Sequence, residues 1–184
     1  LSSQRARVAN RLIPDAARAG RVLDLGCGEH PRFLLSTDFA EKHGVDRRVP
    51  GAAHASVTSI RRTDCDFEHT TRLPFDDGYF DVVTMLAVFE HVEPPRLVPL
   101  ITEIHRILKP GGTYIMTVPA GWTHRLLVFL GTLRIVDPVQ IAEHKDAYSH
   151  GKIAGILERG GFAREQMRFG YFEAFMNTWA TARK

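Results

Sequence analysis

The sequence predicts an α/β fold in which helices pack on a mostly parallel β-sheet. Short apolar strands alternate with helical segments along most of the chain, the order that a parallel sheet requires. Residues 80–89 (FDVVTMLAVF) are apolar almost throughout, as expected for a strand buried on both faces. The 184 residues, 44% hydrophobic and 24% charged, contain no repeat, linker or change of composition. We therefore expect residues 1–184 to form a single domain.

The first half of the chain is predicted to hold one helix and four strands. Apolar residues at helical spacing favour a leading helix over residues 3–18. Four strands are expected over residues 21–25, 43–46, 59–64 and 80–89, of which the segment 59–64 is rich in polar residues.

The second half is predicted to contain two helices and three strands. The first helix, over residues 96–108, should stop at Pro110-Gly111-Gly112. Ser149 is expected to cap the second helix, which should end at Gly160-Gly161. The three strands are predicted over residues 113–118, 163–169 and 175–182, and a long connection over residues 120–147 precedes the second helix.

The net charge of +3 is too small to indicate a nucleic-acid partner. Residues 1–21 carry five arginines and one aspartate, a net of +4, so the remaining residues sum to −1. We interpret this as a solvated helix face, with an anionic acceptor or surface as the alternative. The sequence has no Lys/Arg block, no interleaved aromatic residues and no zinc-type spacing, so nucleic-acid binding is not favoured.

The two cysteines, Cys27 and Cys65, form no disulfide framework and no metal-ligand spacing, which is typical of cytoplasmic thiols. No apolar run reaches the ~18 residues that a membrane-spanning helix needs. The sequence therefore predicts a cytoplasmic protein without a transmembrane segment.

The first motif is RVLDLGCG, a buried strand that runs into Gly-x-Gly. Glycines at this point let the chain turn sharply, so that a charged ligand can approach the main chain closely. Asp24 is a carboxylate inside the apolar strand, where burial without a partner would be costly. We expect it to face a cavity, a hydrogen-bond donor or a cation.

Asp46 lies 20 residues after Gly26, at the end of the next predicted strand. An acidic residue at this spacing reaches the ribose hydroxyls in nucleoside-binding α/β folds. The full GxGxxG motif is absent, because Glu29-His30-Pro31 follows Gly28. The two signals together predict an adenosine-containing cofactor that lacks a pyrophosphate.

Residues 21–119 resemble class I S-adenosylmethionine-dependent methyltransferases of the small-molecule, type 11-like group. The matching segments stand in the family's order: VLDLGCG (22–28), GVD (44–46), DFE and LPFDDGYFDVV (66–83), FEHV (89–92) and EIHRILKPGGTYIMTVP (103–119). The tail segments HKDAYS (144–149) and ILERGGF (156–162) are similar to the family's C-terminal part. The resemblance implies a Rossmann-like, doubly wound sheet of seven strands, mostly parallel with an antiparallel last strand, and helices on both faces.

The resemblance also implies a cofactor, S-adenosyl-L-methionine, and the residues that bind it. Asp24, Gly26, Cys27 and Gly28 would line its methionine end, and Asp46 would bind both ribose hydroxyls. Asp66 and Phe67 would contact the adenine, with Asp64 as an alternative to Asp66, and Leu86 would border the sulfonium. The sequence departs from the family's pattern at residues 29–32 (EHPR), where a small residue is common.

Residues 1–119 are thus expected to form the cofactor-binding half, and residues 120–184 the acceptor side. The apolar segment 121–136 favours core packing, with a hydrophobic, small or lipid-like acceptor, a homodimer face or a shallow contact with a membrane surface as the functional alternatives. Trp122, His124 and Tyr148 are the candidate acceptor-binding residues. His91 and His144 are candidate bases, needed only if the acceptor must lose a proton. The resemblance implies no metal and no covalent nucleophile.

Three hypotheses follow from the sequence. The leading one is methyl transfer by in-line displacement, accelerated mainly by proximity and orientation. An NAD(P)-dependent oxidoreductase of Rossmann type is the second, and the missing third glycine and Glu29 speak against it. The third is a non-catalytic module that binds S-adenosylmethionine.

Overall fold

The computed structural model describes residues 2–47, 59–67, 69–120 and 148–184. The core of the structure is a single β-sheet. Seven strands form one sheet in the order β3-β2-β1-β4-β5-β7-β6. The strands are β1 (Arg21–Leu25), β2 (Glu41–Asp46), β3 (Ile60–Asp64), β4 (Phe80–Leu86), β5 (Leu108–Pro119), β6 (Met167–Phe172) and β7 (Asn177–Arg183).

Only β7 runs against the other strands of this sheet. Neighbours from β3 to β5 pair in parallel, whereas β7 pairs antiparallel with both β5 and β6. The predicted seven-stranded sheet with a reversed last strand is therefore confirmed.

Helices cover both faces of the sheet, as predicted. Within the described ranges the α-helices are α1 (Ser2–Leu12), α2 (Arg32–Leu35), α3 (Pro94–Ile107) and α4 (His150–Arg159). Ala6 and Ala9 of α1 share one core with Val22 of β1. The next residue of β1, Leu23, joins the opposite core, to which α3 and α4 contribute. Successive side chains of a strand point to opposite faces, so β1 is buried on both.

Several element boundaries differ from the predictions. Helix α1 ends at Leu12, and a separate 3-10 turn over Asp15–Ala19 follows Pro14, because proline disrupts a helix interior. Strand β4 ends at Leu86 rather than continuing to residue 89, and a 3-10 turn over Phe89–His91 follows.

The largest correction concerns Pro110-Gly111-Gly112, which does not act as a helix stop. Helix α3 ends at Ile107 and the segment already belongs to β5, whose Leu108 pairs with Phe80. Strand β6 begins at Met167 instead of residue 163, after a 3-10 turn over Arg164–Gln166.

The cap of α4 agrees with the prediction, since the Ser149 hydroxyl accepts a hydrogen bond from the Lys152 amide at 3.3 Å. None of the helices in the described ranges is long and apolar enough to cross a membrane.

Candidate cofactor site

The candidate site lies where the carboxyl ends of β1, β2 and β4 meet. Strand β1 lies between β2 and β4, so the chain changes direction across the sheet at this point. A crevice forms outside the carboxyl ends of parallel strands at such a switch point, and ligands of doubly wound sheets bind there.

The glycine turn that follows β1 is fixed to the end of β2 through its amides. The N–H groups of Gly26 and Cys27 both donate to the Val45 carbonyl, at 2.8 and 3.2 Å. The Gly28 N–H donates to Oδ2 of Asp46 at 2.8 Å. This hydrogen bond holds Asp46 beside the turn, a contact that the 20-residue spacing in the sequence does not reveal.

The two glycines of this turn differ in what surrounds them. Both have left-handed backbone angles, with φ of +76° at Gly26 and +67° at Gly28. A Cβ added at Gly26 would collide with the side chain of Val88. A Cβ at Gly28 would meet no described atom within 4 Å. Among the described residues, space is thus open on the Cβ side of Gly28, while Gly26 is closed by packing.

Asp24 is the buried carboxylate of the site. It is 5% exposed, and Oδ1 accepts a hydrogen bond from the Thr84 hydroxyl at 2.6 Å. Burial raises the pKa of Asp24 to about 7; the nearby charge of Asp46 adds to this rise, and the bond from Thr84 opposes it. A cationic ligand group at this position would stabilise the ionised form.

The open space at Gly28 and the buried Asp24 together fit the amino-acid end of S-adenosylmethionine. That end needs close approach to the main chain and carries a positive ammonium group.

The predicted adenine-contacting residues follow β3. Asp64 ends this strand opposite Asp46 in the register, and Asp66 comes two residues later. Oδ2 of Asp66 lies 2.9 Å from Nδ1 of His69. Phe67 is buried at 5% exposure within the core, so only a small part of its ring is accessible.

The end of β4 borders the site from the other side. Leu86 is half-buried there, and Ala87 has a left-handed φ of 58° with its N–H donating to the Thr117 carbonyl at 2.9 Å. A left-handed alanine is strained, and such strain accumulates at ligand sites.

Glu90 and His91, which follow this bend, lie in different surroundings. His91 is exposed, whereas Glu90 is 3% exposed and its Oε2 has no hydrogen-bond partner among the described residues. Burial raises the pKa of Glu90 to about 7, against a smaller lowering by Arg5 of α1. A carboxyl so placed can take up or release a proton near neutral pH.

Burial raises the pKa of the Cys27 thiol to about 12, so it is protonated at neutral pH. This agrees with the interpretation of Cys27 as a turn residue rather than a nucleophile.

The candidate acceptor and base residues are only partly within the described structure. Tyr148 is buried, with its ring edge-on to Phe89 at 5.0 Å, just beyond the β4 bend. Trp122, His124 and His144 lie outside the described residues.

Sequence reasoning missed two side chains of this region, Thr84 and Arg62, and it left Glu90 open between a contact with acceptor or cofactor and a cap or salt bridge. Thr84 could have been found, because a hydroxyl inside an apolar strand indicates a buried polar partner. Arg62 of β3 donates hydrogen bonds to the carbonyls of Gly28 and Glu29 in the turn after β1. This contact and the buried position of Glu90 depend on packing that residue spacing does not show.

Comparisons with known proteins agree with this geometry. The sequence model of the methyltransferase domain family matches residues 23–116, about half of the chain. A ubiquinone biosynthesis O-methyltransferase from Roseobacter denitrificans is 31% identical over 109 residues, covering 55% of this chain and 42% of that protein. An uncharacterized methyltransferase from Synechocystis is 29% identical over 148 residues, covering 77% of this chain and 66% of that protein. The matched regions thus span less than two thirds of these relatives.

Among solved structures, a SAM-dependent methyltransferase from Archaeoglobus fulgidus has the same fold. It superposes with a TM-score of 0.71 at 18% identity, covering 100% of this chain and 94% of the other. The predicted Rossmann-like architecture is confirmed by this likeness and by the observed strand order. The chain belongs to the methyltransferase domain family, whose cofactor is S-adenosylmethionine.

Proposed function

We propose that the protein is an S-adenosylmethionine-dependent methyltransferase that acts on a small or lipid-like acceptor. The observation that carries this proposal is the open space beside Gly28, set between the buried carboxylate of Asp24 and the ribose-binding candidate Asp46. A pyrophosphate would bring negative charge to a site that already contains both carboxylates and Glu29. The site therefore favours a cationic cofactor over a dinucleotide.

In this mechanism the residues of the chain bind the cofactor and orient it. Asp24, Gly26, Cys27 and Gly28 would hold the amino-acid end of the cofactor, and Asp46 would hold the ribose. The cofactor supplies a methyl group on a sulfonium, which an acceptor atom displaces in line. Such a reaction disperses charge, so a dry and well-oriented site accelerates it.

Asp66 and Phe67 would contact the adenine, and Leu86 would border the reacting centre. The half-buried Leu86 and the buried core beside it would keep water away from that centre. His91 or His144 would serve as a base where the acceptor loses a proton.

The acceptor would be recognised by the C-terminal part of the chain, residues 120–184, including Trp122, His124 and Tyr148. The names of the relatives support a lipophilic acceptor: ubiquinone biosynthesis, sterol 4-C- and tocopherol O-methyltransferases are similar to this chain over 55–63% of its length. The cofactor-binding and acceptor-binding parts would form one domain.

A lipophilic acceptor would bring the protein to a membrane surface from the cytoplasm. The exposed side chains of Tyr171, Phe175 and Met176 support a shallow contact of this kind. A homodimer that covers the same side chains is the alternative arrangement.

Calorimetric titration tests this function directly. We expect S-adenosylhomocysteine to bind and NADH and NADPH not to bind. Asp46→Ala should raise the Kd for S-adenosylhomocysteine at least ~tenfold, because charge-assisted hydrogen bonds to the ribose are lost. Asp38→Ala, which removes an exposed carboxylate, is the control and should leave the Kd unchanged. Binding of NADPH without binding of S-adenosylhomocysteine would overturn the proposed function.

A further inference from the structure

We propose that Arg62 is a positioning residue that holds the cofactor-binding turn from two strands away. The proposal rests on the proposed function, because it concerns the turn that would receive the amino-acid end of S-adenosylmethionine. Arg62 lies on β3, whereas the turn follows β1, and β2 separates the two strands.

The sheet register places Arg62 in line with the site. Asp24 of β1 pairs with Gly44 of β2, and Gly44 pairs with Arg62 of β3. Paired residues of neighbouring strands point to the same face, so the Arg62 side chain starts on the face that bears Asp24.

The guanidinium group of Arg62 reaches two consecutive carbonyl groups of the turn. Nη2 donates to the Gly28 carbonyl at 2.5 Å, and Nη1 donates to the Glu29 carbonyl at 3.0 Å. The planar fork of arginine suits two acceptors at once, which an ammonium group cannot match. Positive charge also strengthens each of these hydrogen bonds.

Gly44 opens the path between Arg62 and the turn. A Cβ at Gly44 would lie 2.8 Å from Sγ of Cys27 and 3.1 Å from Cδ1 of Leu34. Only glycine lets the turn settle this closely on β2, and so brings its carbonyl groups within reach of β3.

The turn is consequently held from both sides. Its amides donate to Val45 and Asp46 of β2, and its carbonyls accept from Arg62 of β3. The left-handed Gly28 sits between these contacts. Residues 29–32, where the sequence departs from the family's pattern, begin at the second carbonyl that Arg62 binds. Arg62 thereby sets the path of the chain at this departure.

The test compares two ligands that differ only at the amino-acid end. S-adenosylhomocysteine carries this end, and 5′-methylthioadenosine has the same nucleoside without it. For Arg62→Met we expect the Kd of S-adenosylhomocysteine to rise at least ~tenfold and the Kd of 5′-methylthioadenosine to change less than ~threefold, both by calorimetry. Arg62→Lys keeps the charge but can satisfy fewer acceptors, so it should restore part of the lost affinity.

Arg61→Met is the matched control. The neighbouring Arg61 side chain is 71% exposed, and its nearest described carboxylate is Oε2 of Glu41 at 3.9 Å. Its removal should leave both Kd values unchanged, since an exposed pair at this distance contributes little.

Each remaining result has one meaning. If the wild-type protein does not bind S-adenosylhomocysteine, the proposed function itself fails. If the wild type binds and Arg62→Met binds as tightly, Arg62 does not position the turn. Equal weakening of both ligands would show a general structural role and would also overturn the inference. If Arg62→Met does not fold, Arg62→Lys is titrated with the same two ligands. Kd values equal to those of the wild type for both ligands would then refute the inference.

Discussion

Replacing Asp24 by asparagine should stabilise the ligand-free protein at alkaline pH. Burial raises the pKa of Asp24 from its ordinary 3.8 to about 7, so the folded protein resists an ionisation that the unfolded chain undergoes freely. The stability contributed by the protonated carboxyl is complete below about pH 4, falls as the pH rises and levels off above about pH 7. A difference of about 3 between the two pKa values corresponds to about 4 kcal/mol at the alkaline end.

Asparagine keeps a carbonyl acceptor for the Thr84 hydroxyl but cannot ionise. We expect the free energy of unfolding of Asp24→Asn, measured in urea, to exceed that of the wild type at pH 8. The excess should grow by roughly 2–3 kcal/mol between pH 5 and pH 8. The buried Glu90 titrates in both proteins, so its contribution cancels in the difference.

Asp38→Asn, at an exposed carboxylate, should follow the wild type at every pH. The same Asp24→Asn protein should bind S-adenosylhomocysteine more weakly. An excess stability that stays constant from pH 5 to pH 8 would refute the reasoning, because it would show that ionised Asp24 is compensated within the fold.

The turn glycines and the two cysteines give further predictions. Gly26→Ala should lower the free energy of unfolding in urea by more than ~1 kcal/mol, because its Cβ would collide with Val88 at a φ of +76°. Gly28→Ala meets open space, so it should cost less stability yet weaken S-adenosylhomocysteine binding; the reverse order of stabilities would contradict the described packing. The Cys27 thiol, 7% exposed with its pKa raised to about 12, should react with a disulfide reagent more slowly than the half-buried Cys65, and equal rates would count against this burial.

The regular part of the fold could be predicted from sequence because its signals are local. Strand β1 was predicted with its observed bounds, since RVLDL is a short apolar run that glycines end. The start of β5 could not be predicted, because Lys109-Pro110-Gly111-Gly112 has the composition of a turn. Pairing between Leu108 and Phe80 draws it into the sheet. Tertiary pairing thus overrides local preference there.

The candidate site likewise contains residues that could be predicted from the sequence and residues that could not. Asp24 and Asp46 could be placed near each other from sequence, because the carboxyl ends of parallel strands share one edge of the sheet. Arg62 could not be assigned, because its role depends on the exact register of three strands and on a glycine in the middle one. The path of residues 29–32 could not be predicted either, because it depends on the same contact with Arg62.

The hydrogen bonds of the turn after β1 have a consequence for how such proteins diverge. Val45 contributes its carbonyl, and Arg62 binds the carbonyls of Gly28 and Glu29, so these hydrogen bonds do not depend on which side chain stands at position 29. Substitutions at residue 29 can accumulate while the shape of the turn is kept. The residues that shape this turn are therefore glycines on two segments and one distant arginine, and a contiguous motif finds the turn glycines but not Gly44 or Arg62.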